Sequence, residues 1–366
     1  MPVFLTPIKG FAYNDMNSFN RSENMNYLNV DNLKAANIQV IYNLYLYLAH
    51  KAFPTENESF KSVVYRLNSS GLSDVDRQKL KIIKAAINGN STISYSKISN
   101  FTYSKRGLTA CVFTAPDGNI SVVFKGTGKG EWIDNGEGLS GIPEENTYIS
   151  YLNGKEIYKT VKNDYATDQQ TEALNWFLKT AYENGWDENF KITVSGHSKG
   201  ANKAQFITIH SDLINHCYSF DGQGFSPEAL ASLKNLYGEK YEIRRKKIFS
   251  LSADNDYVNV LGKRLMPQNQ VYYFESEPIF HPIEAMLNNV GVLNAHCTQG
   301  RLSEYVESMS DELMDLKPEI RRYVTRAVMN IFQKYLGDKP LNGDFVSLEE
   351  TIAGITIAVS YLLNKF

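Results

Sequence analysis

Hydrophobic residues recur with a helical period near the start of the chain and with other periods beyond it. Over residues 30–53, Leu33, Ile38, Ile41, Leu44, Tyr45 and Leu48 share one broad face, which predicts a helix that Asn29 or Asp31 can cap. A second helix is predicted from Ser73, with Asp74 and Asp76 in its first turn, to Ile87, where Asn88-Gly89 stops it. These helices read as an N-terminal cap layer. After residue 100 the pattern changes. Residues 108–114 and 120–124 read as strands on either side of Pro116-Asp117-Gly118-Asn119, a strong turn signal.

Helix and strand then alternate. Residues 167–184, 199–210 and 227–237 have helical patterning, and 190–195, 217–220, 247–252 and 270–275 are short β-rich runs. Alternation of this kind predicts an α/β fold with a mainly parallel central sheet. Residues 302–366 read as helices broken at Lys317-Pro318 and again over 337–340, a C-terminal helical layer. The expected organisation is a single domain over 1–366. It has a helical part over 1–100, a catalytic core over 101–300 and terminal helices over 301–366. Residues 136–166 carry few helix signals but hold Leu139, Ile142, Tyr148, Ile149, Tyr151 and Leu152, which suggests a lid or a wall of an acyl site.

Composition narrows the function. The chain has 366 residues, 43% of them hydrophobic, and a formal net charge of −2. That near-balance argues against a nucleic-acid partner, and the apolar content argues against a disordered chain. The three cysteines, Cys111, Cys217 and Cys297, show no CxxC spacing, so neither a disulfide framework nor a structural zinc site is expected, and no cofactor is implied. The N-terminus lacks a basic segment followed by an apolar one, which predicts no secretory signal and a cytoplasmic location, with leaderless export as the alternative. The uncharged stretch 351–363 is too short to span a bilayer and reads as a packed helix or a lipid-touching one.

The chemistry concentrates in Gly196-His197-Ser198-Lys199-Gly200, a G-x-S-x-G pattern between a β run and a helical run. A strand that turns this sharply into a helix leaves no room for side chains at the flanking glycine positions. It also exposes the serine above the sheet at the positive end of the helix. Ser198 is therefore the candidate nucleophile.

A serine needs a base oriented by an acid, and in hydrolases with this elbow both follow it in the chain. Among six histidines, His50, His197, His210 and His216 fall too early or inside the elbow. His281 and His296 remain. His281, a few residues beyond the last predicted strand, is favoured. For the acid, Asp256 just past a strand end is favoured over Asp254 and Asp221. The oxyanion donors are expected from the N–H groups of Lys199 and of Thr127, which ends the run Val122-Val-Phe-Lys-Gly-Thr127, with the Thr127 hydroxyl as a third donor. Gly126-Thr-Gly-Lys-Gly130 imitates a phosphate loop but has Val123 and Gly130 where the motif needs Gly and Ser or Thr.

Val123-Phe-Lys-Gly-Thr127, Glu131-Trp-Ile-Asp-Asn135, Gly196-His-Ser-Lys-Gly200 and Asp256-Tyr-Val258 together resemble the lipase-like α/β-hydrolases, in particular a bacterial branch related to the class 3, fungal-type triacylglycerol lipases. The resemblance covers roughly residues 100–290. It implies an α/β-hydrolase fold and a serine esterase or lipase acting on carboxylic esters, with lipid or phospholipid substrates and transient membrane-surface contact. It implies Ser198 as nucleophile, Asp256 as acid and Thr127 with Lys199 at the oxyanion hole. A histidine about 25 residues after the acid is expected in that branch, which supports His281. Lys125 stands where arginine is usual, and Ala201 where a second glycine is usual. The competing classes are a non-catalytic binding protein on a hydrolase scaffold and an exported phospholipase effector.

Overall fold

A computed structural model describes residues 26–67, 71–104, 107–128, 130–152, 155–276, 281–335 and 346–363. The N-terminal layer holds α1 (Val30–Leu46), the short strand β1 (Glu58–Ser59), α2 (Phe60–Arg66), α3 (Asp74–Gly89) and α4 (Ser91–Tyr95). Strands β2 (Lys97–Tyr103), β3 (Thr109–Thr114) and β4 (Ile120–Phe124) follow, then α5 (Trp132–Ser140) and the hairpin β5 (Glu144–Leu152) and β6 (Lys155–Asp164). Next come α6 (Asp168–Glu183), β7 (Ile192–His197), α7 (Lys199–His210), β8 (Ile214–Phe220), α8 (Pro227–Tyr237), α9 (Glu239–Arg245), β9 (Ile248–Ala253) and β10 (Val271–Phe274). The chain ends with β11 (His296–Cys297), α10 (Arg301–Met314), α11 (Pro318–Tyr335) and α12 (Leu348–Leu363).

The main sheet has nine strands in the order β1-β2-β3-β4-β7-β8-β9-β10-β11. Its centre, β4 through β10, is parallel. Both ends are antiparallel, and short connections join β2 to β3 and β3 to β4. This is the expected α/β architecture. The strand period of two splits the core between the sheet's faces. Cys111 and Phe113 of β3 pack under the N-terminal helices, while Ala110 and Val112 pack under α6 and α7. Phe113 stacks on Tyr42 of α1 at 3.9 Å between ring centroids.

Polar side chains fix where α1 lies. Gln39 donates to Ser121 Oγ at 2.7 Å, Ser195 donates to Gln39 Oε1 at 2.9 Å, and Asn43 donates to Ser195 Oγ at 2.9 Å. All four residues are buried. A shift of α1 along β4 and β7 would leave these groups unpaired, which costs about 1–3 kcal/mol each. The helix is also shorter than its periodicity predicts. It ends at Leu46, and a 3₁₀ turn over Ala49–Lys51 completes the apolar run.

The segment 136–166 departs from the lid expectation. It begins as the second half of α5 and continues as the β5–β6 hairpin. The hairpin packs on α6, where Asn175 accepts from the Ile149 N–H and donates to the Thr147 carbonyl. Alternate polar residues on an exposed hairpin weaken the β signal and give the appearance of a loop.

Candidate active site

The elbow has the geometry that its composition requires. Ser198 sits between β7 and α7 with φ 59° and ψ −127°, a region that non-glycine residues occupy only under constraint. The flanking glycines show the constraint. A Cβ on Gly196 would lie 2.1 Å from the carbonyl carbon of Gly200, and one on Gly200 would lie 2.1 Å from the Phe124 carbonyl oxygen. Both obstacles are backbone. The Ser198 N–H is held by the Phe220 carbonyl at 2.9 Å.

Ser198 lines a pocket of about 230 Å³ together with Thr127, Trp132, His197, His281 and Ile283. A larger cavity of about 760 Å³, bordered by Asp134, Glu144, Gln169 and Arg326, touches neither Ser198 nor His281. None of the described residues among 136–166 lines the Ser198 pocket, so the described part of the β5–β6 hairpin does not form its wall.

The structure brings His281 and Asp256 together. His281 Nδ1 lies 2.6 Å from Asp256 Oδ2. The other oxygen, Oδ1, accepts from the N–H groups of Val258 and Asn259 at 2.8 and 2.7 Å. Asp256 is fully buried, so its charge is carried by these three donors. His281 Nε2 is buried and has no partner among the described residues.

The alternatives lie elsewhere. Asp254 accepts from Ser276 Oγ and Asn255 Nδ2. His296 is on the edge strand β11, packed on Phe274 at 4.5 Å, where its Nε2 accepts from the Leu28 N–H. Asp221 directly follows β8, beside the strand that leads to Asp256. One oxygen accepts from the Ala253 N–H at 2.9 Å, and the other is buried without a partner among the described residues. Burial, and then the nearby Asp256 charge, push its carboxyl well above the usual range. Both causes favour its protonated form.

The oxyanion candidates are also adjacent to the serine. Lys199 is the first residue of α7, so its N–H has no carbonyl one turn back in the helix. Its side chain is fully buried against Asp134 at 2.8 Å. Thr127 lines the pocket, and its Oγ accepts from Asn135 Nδ2 at 3.0 Å, which turns the hydroxyl proton away from Asn135. The loop carrying Thr127 is anchored by Glu131, which accepts from the Gly128 N–H and pairs with Lys203 Nζ at 3.3 Å, both side chains fully buried. Lys129 of the imitation phosphate loop lies outside the described residues.

Sequence reasoning placed His197 away from the chemistry, and the structure places it within. Its Nδ1 is 2.6 Å from Tyr47 Oη and its Nε2 is 2.9 Å from the His281 carbonyl oxygen. Tyr47, just past α1, carried no signal in the sequence. His197, Asp221 and His281 offer ligand atoms within 4.8 Å of one another. Both His197 nitrogens and His281 Nδ1 are already hydrogen-bonded, which leaves two free atoms, too few for a metal cage.

A parallel sheet with a strained serine turn after a central strand, and an acid and a histidine after later strands, defines the α/β-hydrolase fold. No protein-family model matches the chain, and no curated protein does. Among solved structures it is similar to the Lip2 lipase from Yarrowia lipolytica, at 9% identity and a TM-score of 0.41, over 81% of this chain and 94% of that one. It is also similar to lipase II from Rhizopus niveus, at 10% identity and a TM-score of 0.38, over 74% of this chain and 98% of that one. A triacylglycerol lipase from Penicillium expansum is similar at 12% identity and a TM-score of 0.34, over 66% of this chain and 96% of that one.

Proposed function

We propose that the protein is a serine hydrolase of carboxylic esters, an esterase or lipase working through Ser198, His281 and Asp256. The observation that carries this reading is the 2.6 Å contact between His281 and the buried Asp256 in a site shared with a strained serine elbow. Asp256 holds the proton on Nδ1, which leaves Nε2 as the basic nitrogen. Nε2 takes the Ser198 proton as Oγ bonds to the acyl carbon. The carbonyl oxygen becomes an oxyanion that accepts from the N–H groups of Thr127 and Lys199. Nε2 then protonates the leaving alcohol, and water repeats the sequence to free the acid and Ser198.

A fluorophosphonate probe tests the reading. Wild-type protein labels and Ser198→Ala does not, and ester hydrolysis falls by roughly 10⁴-fold or more in the variant. Wild-type protein that resists labelling, or a variant that labels equally, overturns it and leaves the non-catalytic binding protein as the standing reading.

The apolar surface beside the pocket supports a lipid surface as the place of contact. Trp132 in the pocket wall stacks on Phe332 of α11 at 6.0 Å, and Val328, Ile331, Phe332, Ile352 and Ile355 are exposed on α11 and α12. No helix among the described residues is long and apolar enough to cross a membrane. Co-flotation with phosphatidylcholine vesicles, reduced by Phe332→Ser with Ile331→Ser, is the expected result. Equal flotation of variant and wild type, or none of either, counts against this contact.

A further inference from the structure

We propose that Tyr47 and His197 are positioning residues, joined in one directed hydrogen-bond chain that starts against the oxyanion loop and ends on the loop bearing the base. The proposal rests on the hydrolase reading above. The direction of the chain follows from its two ends. The His281 carbonyl can only accept, so the His197 nitrogen 2.9 Å from it, Nε2, carries a proton. A neutral imidazole then has a bare Nδ1, which accepts from the Tyr47 hydroxyl 2.6 Å away. Tyr47 Oη lies against the oxyanion loop at Gly126, where a Cβ would come within 2.7 Å of it. Every group in the series has a single role.

The protonation states agree with this series. Burial, and then the neighbouring His281, hold His197 well below the usual imidazole value, so it is neutral. Burial raises the Tyr47 phenol far above its ordinary range, so it keeps its proton. Asp221 Oδ2, at 3.7 Å from His197 Nε2, is too distant to replace the carbonyl.

The chain runs between the residues that the reaction needs in register. Gly126 precedes Thr127, and a Cβ there would lie 2.7 Å from Tyr47 Oη and 3.2 Å from Ser198 Cβ, so the loop passes directly between phenol and nucleophile. His197 precedes Ser198, and its ring centroid is 4.8 Å from that of His281. The far end holds the backbone of the base itself. The buried contacts of Gln39 and Asn43 seat α1 on β4 and β7, and so bring Tyr47 to His197. The N-terminal layer therefore supplies part of the site instead of only covering the sheet.

The test has two arms. In the first, imidazole ¹⁵N signals are read from histidine-labelled protein, with His197 assigned by its loss in His197→Gln. The expected state is the Nε2–H tautomer in wild type, kept in Tyr47→Phe because the His281 carbonyl still requires it, with the bare Nδ1 signal shifted by loss of its donor. A wild-type His197 protonated on Nδ1 overturns the chain whether or not the protein is active. In the second arm, fluorophosphonate labelling rates are compared. Tyr47→Phe and His197→Ala are each expected to slow labelling roughly ten- to a hundredfold, the scale set by small misplacements of catalytic groups. His197→Gln keeps a donor where Nε2 stood and should recover most of the rate. Tyr47→Phe combined with His197→Ala should label no more slowly than His197→Ala alone. Equal rates for His197→Gln and His197→Ala, or losses that multiply in the double variant, overturn the proposal while wild-type labelling leaves the hydrolase reading intact. Melting curves accompany each variant, and if Tyr47→Phe does not fold, the His197→Gln and His197→Ala pair decides.

Discussion

Asp256 holds His281 at 2.6 Å with one carboxylate oxygen while two main-chain N–H groups hold the other. The turn 256–259 thus fixes the carboxylate before the histidine arrives from 25 residues along the chain.

His281→Ala should abolish labelling by a fluorophosphonate, and His296→Ala should leave its rate within about twofold. His296 contributes packing on Phe274, so its loss should cost about 0.5–1.5 kcal/mol of stability, visible in urea unfolding. A labelled His281→Ala protein would move the base elsewhere.

Asp256→Asn turns an acceptor facing Nδ1 into an amide that can donate and favours the wrong tautomer, so activity should fall roughly 10⁴-fold. Asp221→Asn should leave activity nearly unchanged, because the amide resembles the neutral acid already there. The stability comparison carries a sign. The folded-state value of Asp221 lies well above the ordinary 3.8, so the folded protein keeps a proton that the unfolded chain releases. For this group stability is greatest below the unfolded value and declines as pH rises toward the folded one. Melting temperatures should therefore diverge in favour of Asp221→Asn as pH increases from below 3.8 to neutrality. A pH-independent gap would refute the neutral assignment.

Gly196→Ala and Gly200→Ala each place a methyl group 2.1 Å from backbone that cannot rotate aside. Each should cost roughly 3 kcal/mol or more and reduce the yield of folded protein. Gly89→Ala meets nothing within 4 Å and should change stability by about 1 kcal/mol or less. Soluble, wild-type-like Gly200→Ala protein would show that the elbow is looser than its geometry.

Lys203→Met strands the buried Glu131 carboxylate, and Glu131→Gln strands the buried Lys203 ammonium. Either change should destabilise the protein by about 3–5 kcal/mol. Because Glu131 also holds the Gly128 N–H, Glu131→Met, which removes that acceptor too, should slow labelling more than Lys203→Met does at equal stability. Unfolding curves and labelling rates on the same samples separate the two effects.

The alternation of helix and strand was legible because the central strands carry short clusters of buried apolar residues, as in Ile120–Phe124 and Val271–Phe274, between helical patterns. The β5–β6 hairpin was not, since much of it is exposed and its pattern is polar. Strand β2 was missed for a similar reason, with only Ile98 buried along its length. His197 was set aside on local grounds, because adjacent residues at a sharp turn point apart. That argument says nothing of what each side chain meets on the far side of the sheet.

What the sequence by itself determined is the elbow and its order in the chain. A serine between two glycines at a strand-to-helix turn is a local steric requirement, complete within residues 196–200. Strand position favoured one of three aspartates and one of two histidines, and the tertiary structure shows which carboxylate meets which ring. Asp221 and Asp256 leave neighbouring strand ends, and only the turn after Ala253 aims a carboxylate at His281. The same holds for Tyr47, whose 150-residue separation from His197 is closed by the seat of α1 on the sheet. Such distances depend on strand order and helix docking, which no local spacing encodes.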